Sequence, residues 1–162
     1  MCLTASAHMV VHYLHGSFRF PSPPPSFDYL CEILPSSDIL LGTPPNKIRD
    51  YLKRIEEIGG NLKVRHLKGQ DISTLEFRVR QRTPPIALFD LMYYHTRSPL
   101  SRSSHATVIV GYTDEVLYAN NPVYGADYPY EKKRFKEAWE RRGMKYILIT
   151  PKESLVRYLG II

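Results

Sequence analysis

The hydrophobic pattern of this 162-residue chain changes period near Pro84-Pro85, and that change limits the folds open to it. Upstream, apolar residues recur at helical spacing with charges between them, as expected of helices lying on a core. Downstream come PIALFDL (85–91), ATVIVGY (106–112), the short run 116–119 and KYILIT (145–150). These are strand-like, and two of them are nearly continuous apolar runs. Helices first and an antiparallel sheet afterwards predict an α+β domain, and the whole of 1–162 reads as one such domain without internal repeats.

The upstream elements can be placed more closely. A helix is predicted over Thr4 to His15, beginning immediately after Cys2. At about 100° per residue, Ala7, Met9, Val10, Tyr13 and Leu14 share one side, His8, His12 and His15 gather on the other, and Gly16 ends the helix. The proline-rich stretch from Phe20 to Pro25 is a stiff extended connector. Ser26 caps a short helix, Phe27 to Leu34, before Pro35, and Thr43 caps a second one carrying Ile48, Tyr51, Leu52, Ile55 and Ile58 inward. Leu62 to Leu67 alternates as a strand, Asp71 to Gln81 is helical with Ile72, Leu75 and Val79 inward, and Thr113-Asp114 is a tight turn. A last helix runs from Glu131 to Arg141 and buries Phe135, Ala138 and Trp139.

Composition narrows the function classes. With 43% apolar and 23% charged residues the chain is not wholly disordered. No apolar run reaches the roughly 20 residues of a membrane helix. His8 and His12 interrupt the first apolar stretch, so it lacks a signal-peptide layout, and the cytoplasm is the expected location. A net charge of +6 is compatible with nucleic acid, anionic membranes or acidic substrates. Only Cys2 and Cys31 are present, which suits a reducing compartment; a single Cys2–Cys31 bridge is the one disulfide the sequence allows.

Three residues converge on one chemistry. Cys2 stands at the start of a predicted helix, where unpaired N–H groups and the helix dipole favour a thiolate. His105 opens a strand, on rigid backbone at a sheet edge. Asn121, in Tyr118-Ala119-Asn120-Asn121-Pro122, ends the next strand, which brings it beside His105. An Asn there orients one imidazole nitrogen and leaves the other for the thiol. Each residue taken singly has an ordinary structural reading: a small buried thiol, a strand-end polar residue, a turn signal. The order Cys, His, Asn on these elements reads as a cysteine hydrolase that needs neither a metal nor an organic cofactor.

The chain resembles the papain-like C39 peptidases in their free-standing, C39-like form. The resemblance rests on CLTASAHMVVHYLHG, TPPNKIRDYLKRIEEIGGNLKV, PPIALFDL, HATVIVGYTDEVLYANNPVYG and RFKEAWERRGMKYILITP, and so covers nearly the whole chain. It implies a papain-like fold, with N-terminal helices packed on a C-terminal antiparallel sheet. It also implies hydrolysis of a peptide or related amide bond, with Cys2 as nucleophile, His105 as general acid and base, and Asn121 as the third member. The family more often has Asp before that proline, and it has Cys-Gly-Pro where this chain has Cys2-Leu3-Thr4. It also takes an oxyanion-hole glutamine from a few residues before the cysteine, whereas only Met1 precedes Cys2, which leaves the Cys2 N–H as the remaining expected donor. Loss of such a side-chain donor typically costs about 100- to 1,000-fold in rate. A truncated start, a substitute group or a weak relative would each account for the difference.

Other features compete for a role. His8, His12 and His15 have i, i+4 and i+3 spacing, but Met9 stands where an HExxH zinc motif needs Glu, so a solvated polar face is the expected reading. Lys132, Lys133, Arg134, Lys136, Arg141 and Arg142, and separately Arg65, Lys68, Arg78, Arg80 and Arg82, are expected to be solvated faces rather than a nucleic-acid surface, since no nucleic-acid motif accompanies them. Tyr93, Tyr94, His95, Arg97 and Arg102 lie in a segment read as a loop bordering the site, while Phe27, Tyr51 and Trp139 read as core. The partner is therefore a peptide or protein substrate. The alternative is a catalytically weak or silent papain-like module that binds a peptide, a protein or nucleic acid through its basic surface. A third possibility uses the free amine of Cys2, after removal of Met1, as its own base.

Overall fold

The computed structural model describes residues 2–18, 20, 23–33 and 45–152. Its centre is a six-stranded antiparallel sheet. In chain order the elements are α1 (Cys2–Phe18), α2 (Phe27–Ile33), α3 (Pro45–Gly59), β1 (Leu62–Lys68), α4 (Ile72–Arg80), β2 (Ile86–Phe89), α5 (Leu91–Thr96), β3 (His105–Tyr112), β4 (Val116–Asn121), β5 (Gly125–Glu131), α6 (Lys132–Glu140) and β6 (Lys145–Pro151). The spatial order of the strands is β1-β6-β2-β3-β4-β5. The expected α+β architecture, helices packed on an antiparallel sheet, is what the chain forms.

The near-continuous apolar runs follow from burial of both sheet faces, since successive side chains of a strand point to opposite sides. Ile86, Leu88, Ala106, Val108, Ile147 and Ile149 face α1, α2 and α3. Ala87, Phe89, Ile109, Tyr146 and Leu148 face the opposite layer, built with α4, α5 and α6. Tyr51 and Trp139 are core residues, as expected, and Phe27 is half-buried against the His8 ring.

Several local expectations hold and several do not. Ser26 does cap α2, its hydroxyl accepting from Tyr29 N–H at 3.2 Å. The expected Thr43 cap, and Leu34 and Pro35, lie outside the described residues. Helix α1 does not end at Gly16 but continues to Phe18, whose ring packs on the apolar layer; that contact outweighs the cost of about 1 kcal/mol for a helical glycine. Nor is His15 on a solvated face. It is buried in line with Val11, its ring 4.4 Å from that of Phe20, while Tyr13 is exposed. Cys2 and Cys31 are both free thiols.

Two elements were not anticipated. The short helix α5 replaces an expected loop: Asp90 caps it by accepting from Tyr93 N–H at 3.0 Å, and Tyr94 is buried beneath Tyr130. Strand β5 was hidden by Pro129, which a strand can hold only where its missing N–H is not needed. Here β5 is the sheet edge, pairing on one side with β4.

The corner between α6 and β6 is tightly built. Met144 N–H reaches back to Trp139 O at 3.0 Å, with Gly143 and Met144 in left-handed conformations, and the Trp139 indole donates to Lys145 O at 2.8 Å. Gly69 N–H closes the corner on Met144 O at 2.8 Å, and a Cβ at Gly69 would lie 2.4 Å from the buried Trp139 ring. The substitution Gly69→Ala should therefore destabilise the fold by about 1–3 kcal/mol, as overpacking does. Urea denaturation would show this as a lower midpoint at unchanged slope, whereas Gly16→Ala, with no heavy atom within 4 Å of the added carbon, should show no such loss.

Candidate active site

Strands buried on both faces leave polar groups room mainly at their ends, and the site lies at one such end. His105 is the first residue of β3 and Asn121 the last of β4. Val108 faces Asn120 across the ladder, which sets Asn121 opposite Thr107 and one diagonal step from His105. His105 Nε2 and Asn121 Oδ1 are 3.2 Å apart, and both residues are buried.

The roles in this bond can be assigned. Asn121 Oδ1 also accepts from Val123 N–H at 2.7 Å and Tyr124 N–H at 3.2 Å, an Asx-type turn that closes β4 onto β5. Only an oxygen can accept from backbone N–H groups, so the amide orientation is fixed. His105 Nε2 must then carry the proton, which leaves Nδ1 with a free lone pair. On its other side the Asn121 amide donates from Nδ2 to the Tyr130 hydroxyl. Burial raises the Tyr130 phenol well above its ordinary range, so the hydroxyl stays neutral.

The His105 ring stands edge-to-face on Phe89, its partner in the β2–β3 ladder, with centroids 5.5 Å apart. Burial pushes its pKa down to about 4; the Asn121 bond opposes the shift, and the charge of His95 adds to it. The imidazole is thus held as a neutral base.

Cys2 opens α1 and is half-buried against the apolar layer that includes Leu3 and Ala106. One helical turn on, Ser6 donates to the carbonyl of Ala106, the residue after His105, at 3.2 Å. That buried bond fixes the first turns of α1 over the start of β3. No hydrogen bond joins Cys2 to His105; docking of α1 on β3 is what relates them.

Sequence reasoning missed the residues that hold the segment leading into His105. Asp90, buried at the end of β2, accepts from the hydroxyls of Ser101 at 2.5 Å and Ser103 at 2.7 Å and pairs with Arg141 at 3.5 Å. Burial works against its charge, but the Ser101, Tyr93, Ser103 and Arg141 donors prevail and hold the carboxyl below its usual range. Arg141 also donates to Pro99 O and Ser101 O, and its guanidinium covers the Tyr93 ring at 4.4 Å. Asp90 before an apolar run was a readable cap signal; Tyr130, two positions after Tyr128, was readable as strand alternation.

The basic residues of α6 prove to be tethers more than a solvated face. Lys132 pairs with Glu76 at 2.5 Å, Lys136 with Asp71 at 3.0 Å, and Arg134 donates to Tyr94 O at 2.9 Å. Among the described residues no three His, Cys, Asp or Glu side chains gather as a metal set, and no helix is long and apolar enough to cross a membrane.

Comparisons with known proteins bear on the family and the fold. A family profile described as "Peptidase_C39 like family" matches residues 1–147. Among solved structures, a putative C39-like peptidase from Bacillus anthracis superposes with a TM-score of 0.67 at 14% identity, covering 93% of this chain and 88% of that one. The peptidase domain of Streptococcus ComA, a bifunctional ABC transporter involved in a quorum-sensing pathway, gives 0.59 at 17% identity, over 94% and 95%. No curated protein sequence matches the chain.

The buried imidazole makes stability pH-dependent. Its folded pKa of about 4 lies below the ordinary 6.5, so the unfolded chain takes up the proton first as pH falls. Stability should be unaffected by this group above pH 6.5 and should drop by about 3 kcal/mol by pH 4. His8 and His66, also lowered by burial and by the charges of His12 and Lys145, act with the same sign. Urea midpoints measured across this range should fall more steeply for the native chain than for His105→Gln.

Proposed function

The chain belongs to the Peptidase_C39 like family, so its type is that of a cysteine peptidase, and from that premise we propose that Cys2, His105 and Asn121 are its catalytic residues, cleaving a peptide or related amide bond. The observation that carries the reading is the His105–Asn121 hydrogen bond of 3.2 Å, in an amide orientation that leaves Nδ1 unprotonated at the end of β3 where α1 begins.

In this reading Nδ1 of His105 takes the thiol proton of Cys2, and the sulfur attacks the carbonyl carbon. The imidazolium so formed keeps its Nε2–H on Asn121 Oδ1, then gives the Nδ1 proton to the leaving amine. Water, deprotonated by the same nitrogen, attacks the thioester and frees Cys2. The backbone N–H of Cys2, at the start of the 17-residue α1, is a donor for the oxyanion. Burial keeps His105 neutral in the free protein, the state in which Nδ1 can accept a proton, and the charge of a forming thiolate beside it would offset the lowered basicity.

Site-resolved alkylation and peptide hydrolysis test this together. Iodoacetamide should modify Cys2 faster than Cys31 at neutral pH, and His105→Ala should remove the advantage. Cleavage of a peptide library should vanish in Cys2→Ala and fall by about 10²–10⁴-fold in His105→Ala. Asn121→Asp retains the acceptor, and the Tyr130 hydroxyl can turn to donate. Its added charge should raise the His105 pKa and move the acid limb of kcat/KM upward. A Cys2 that reacts equally with and without His105, and no faster than Cys31, would favour a binding module instead.

A further inference from the structure

A cleft of about 280 Å³ beside the proposed catalytic residues is not used by the reading above. Ile48, Leu88, Ser104, Arg141, Arg142 and Lys145 line it. Its position is set by the ladder. Leu88 pairs with Ala106, Ser104 is joined to His105, and Ile48 and Leu88 belong to the apolar layer on the α1 side of the sheet. The cleft therefore opens at the same strand end, and on the same face, as the first turn of α1.

The three cations differ in what they do. Arg141 is committed to Asp90 and to two loop carbonyls, so its charge is matched and it acts as a brace. The side chains of Arg142 and Lys145 make no ion pair or hydrogen bond among the described residues. Their backbone is nonetheless rigid. Arg142 N–H and Met144 N–H both bond Trp139 O, Gly143 N–H bonds Glu140 O, and Lys145 O accepts the Trp139 indole. Two unmatched positive charges thus stand on a fixed corner over an apolar floor, with the Ser104 hydroxyl at the wall next to His105.

We propose that this cleft is a substrate subsite for a carboxylate side chain, an aspartate or glutamate near the scissile bond. The proposal rests on the hydrolase reading for its substrate, and it deepens that reading by naming the residue class selected. The apolar floor takes the methylenes and the paired cations take the carboxylate. The net charge of +6 adds long-range attraction for an acidic peptide.

Two measurements, on the native chain and on Arg142→Gln, Lys145→Gln and the double variant, separate this subsite from the chemistry it serves. In the first, matched peptides differ by Glu or Gln at each position flanking the cleaved bond. One position should show a Glu preference of about tenfold per cation, expressed in KM, weakened by salt and collapsing toward unity in the double variant. In the second, Cys2 is alkylated with iodoacetate and with iodoacetamide; in both, sulfur bonds to the methylene and iodide leaves. The rate ratio of the anionic to the neutral reagent at Cys2, referenced to Cys31, should be high and should fall in both single variants. A ratio and a peptide preference that ignore both substitutions overturn the subsite. A ratio that depends on the two cations without any peptide turnover supports the anion subsite and overturns the hydrolase reading instead.

Discussion

Burial of the central strands on both faces is the constraint from which the rest follows. β2, β3 and β6 lie between two helical layers, and their middle residues are accordingly apolar almost without interruption. A polar side chain in that interior must be fully hydrogen-bonded or it costs several kcal/mol. Thr107 shows the rule: buried within β3, it donates to Asn120 O at 3.1 Å. The strand ends escape the rule in part, and His105, Asp90 and Asn121 all stand at such ends. The sheet thus gathers ionisable groups at the edge where its strands end, because its interior holds polar groups only when they are fully bonded.

What happens at that edge depends on a second layer of bonds. The Asn121 oxygen serves His105 and two backbone N–H groups at once, so the turn that closes β4 onto β5 also fixes the imidazole. Asp90 does the same for the approach to His105, holding Ser101, Ser103 and the start of α5 with one carboxylate. Backbone architecture and candidate chemistry use the same side chains. Their removal would disturb both, which is why the conservative Asn121→Asp is more informative than truncation.

The sequence made the sheet legible through its apolar runs and made the order of Cys2, His105 and Asn121 legible through their positions at element ends. It concealed what depends on tertiary context. Pro129 masks β5 because a strand with proline is viable only at a sheet edge, and nothing local says where the edge falls. Six residues are too few for α5 to show helical periodicity, and its cap, Asp90, lies within the apolar run 85–91. Angular spacing alone puts His15 outward, but burial on α1 spreads from Leu14 around to His15, whose ring meets Phe20 from the connector. None of these features is fixed by the residues of its own element alone.

Charge follows the same logic and bears on selectivity. A run such as KKRFKEAWERR reads as a uniform basic face, yet its members have different fates. Lys132, Arg134 and Lys136 reach across to α4, to the Asp71 before it, and to α5, where they replace solvent with fixed partners, and Arg141 braces the segment ahead of His105. Whatever these pairs add to stability, they decide which cations remain unmatched. By that subtraction Arg142 and Lys145 are the cations left unmatched in the lining of the cleft. The rigid corner fixes the backbone of these cations, so an arriving anion orders only their side chains, and the apolar wall beside them already limits their hydration. Selectivity for a carboxylate would then come from the bookkeeping of the whole basic surface, not from the two residues in isolation.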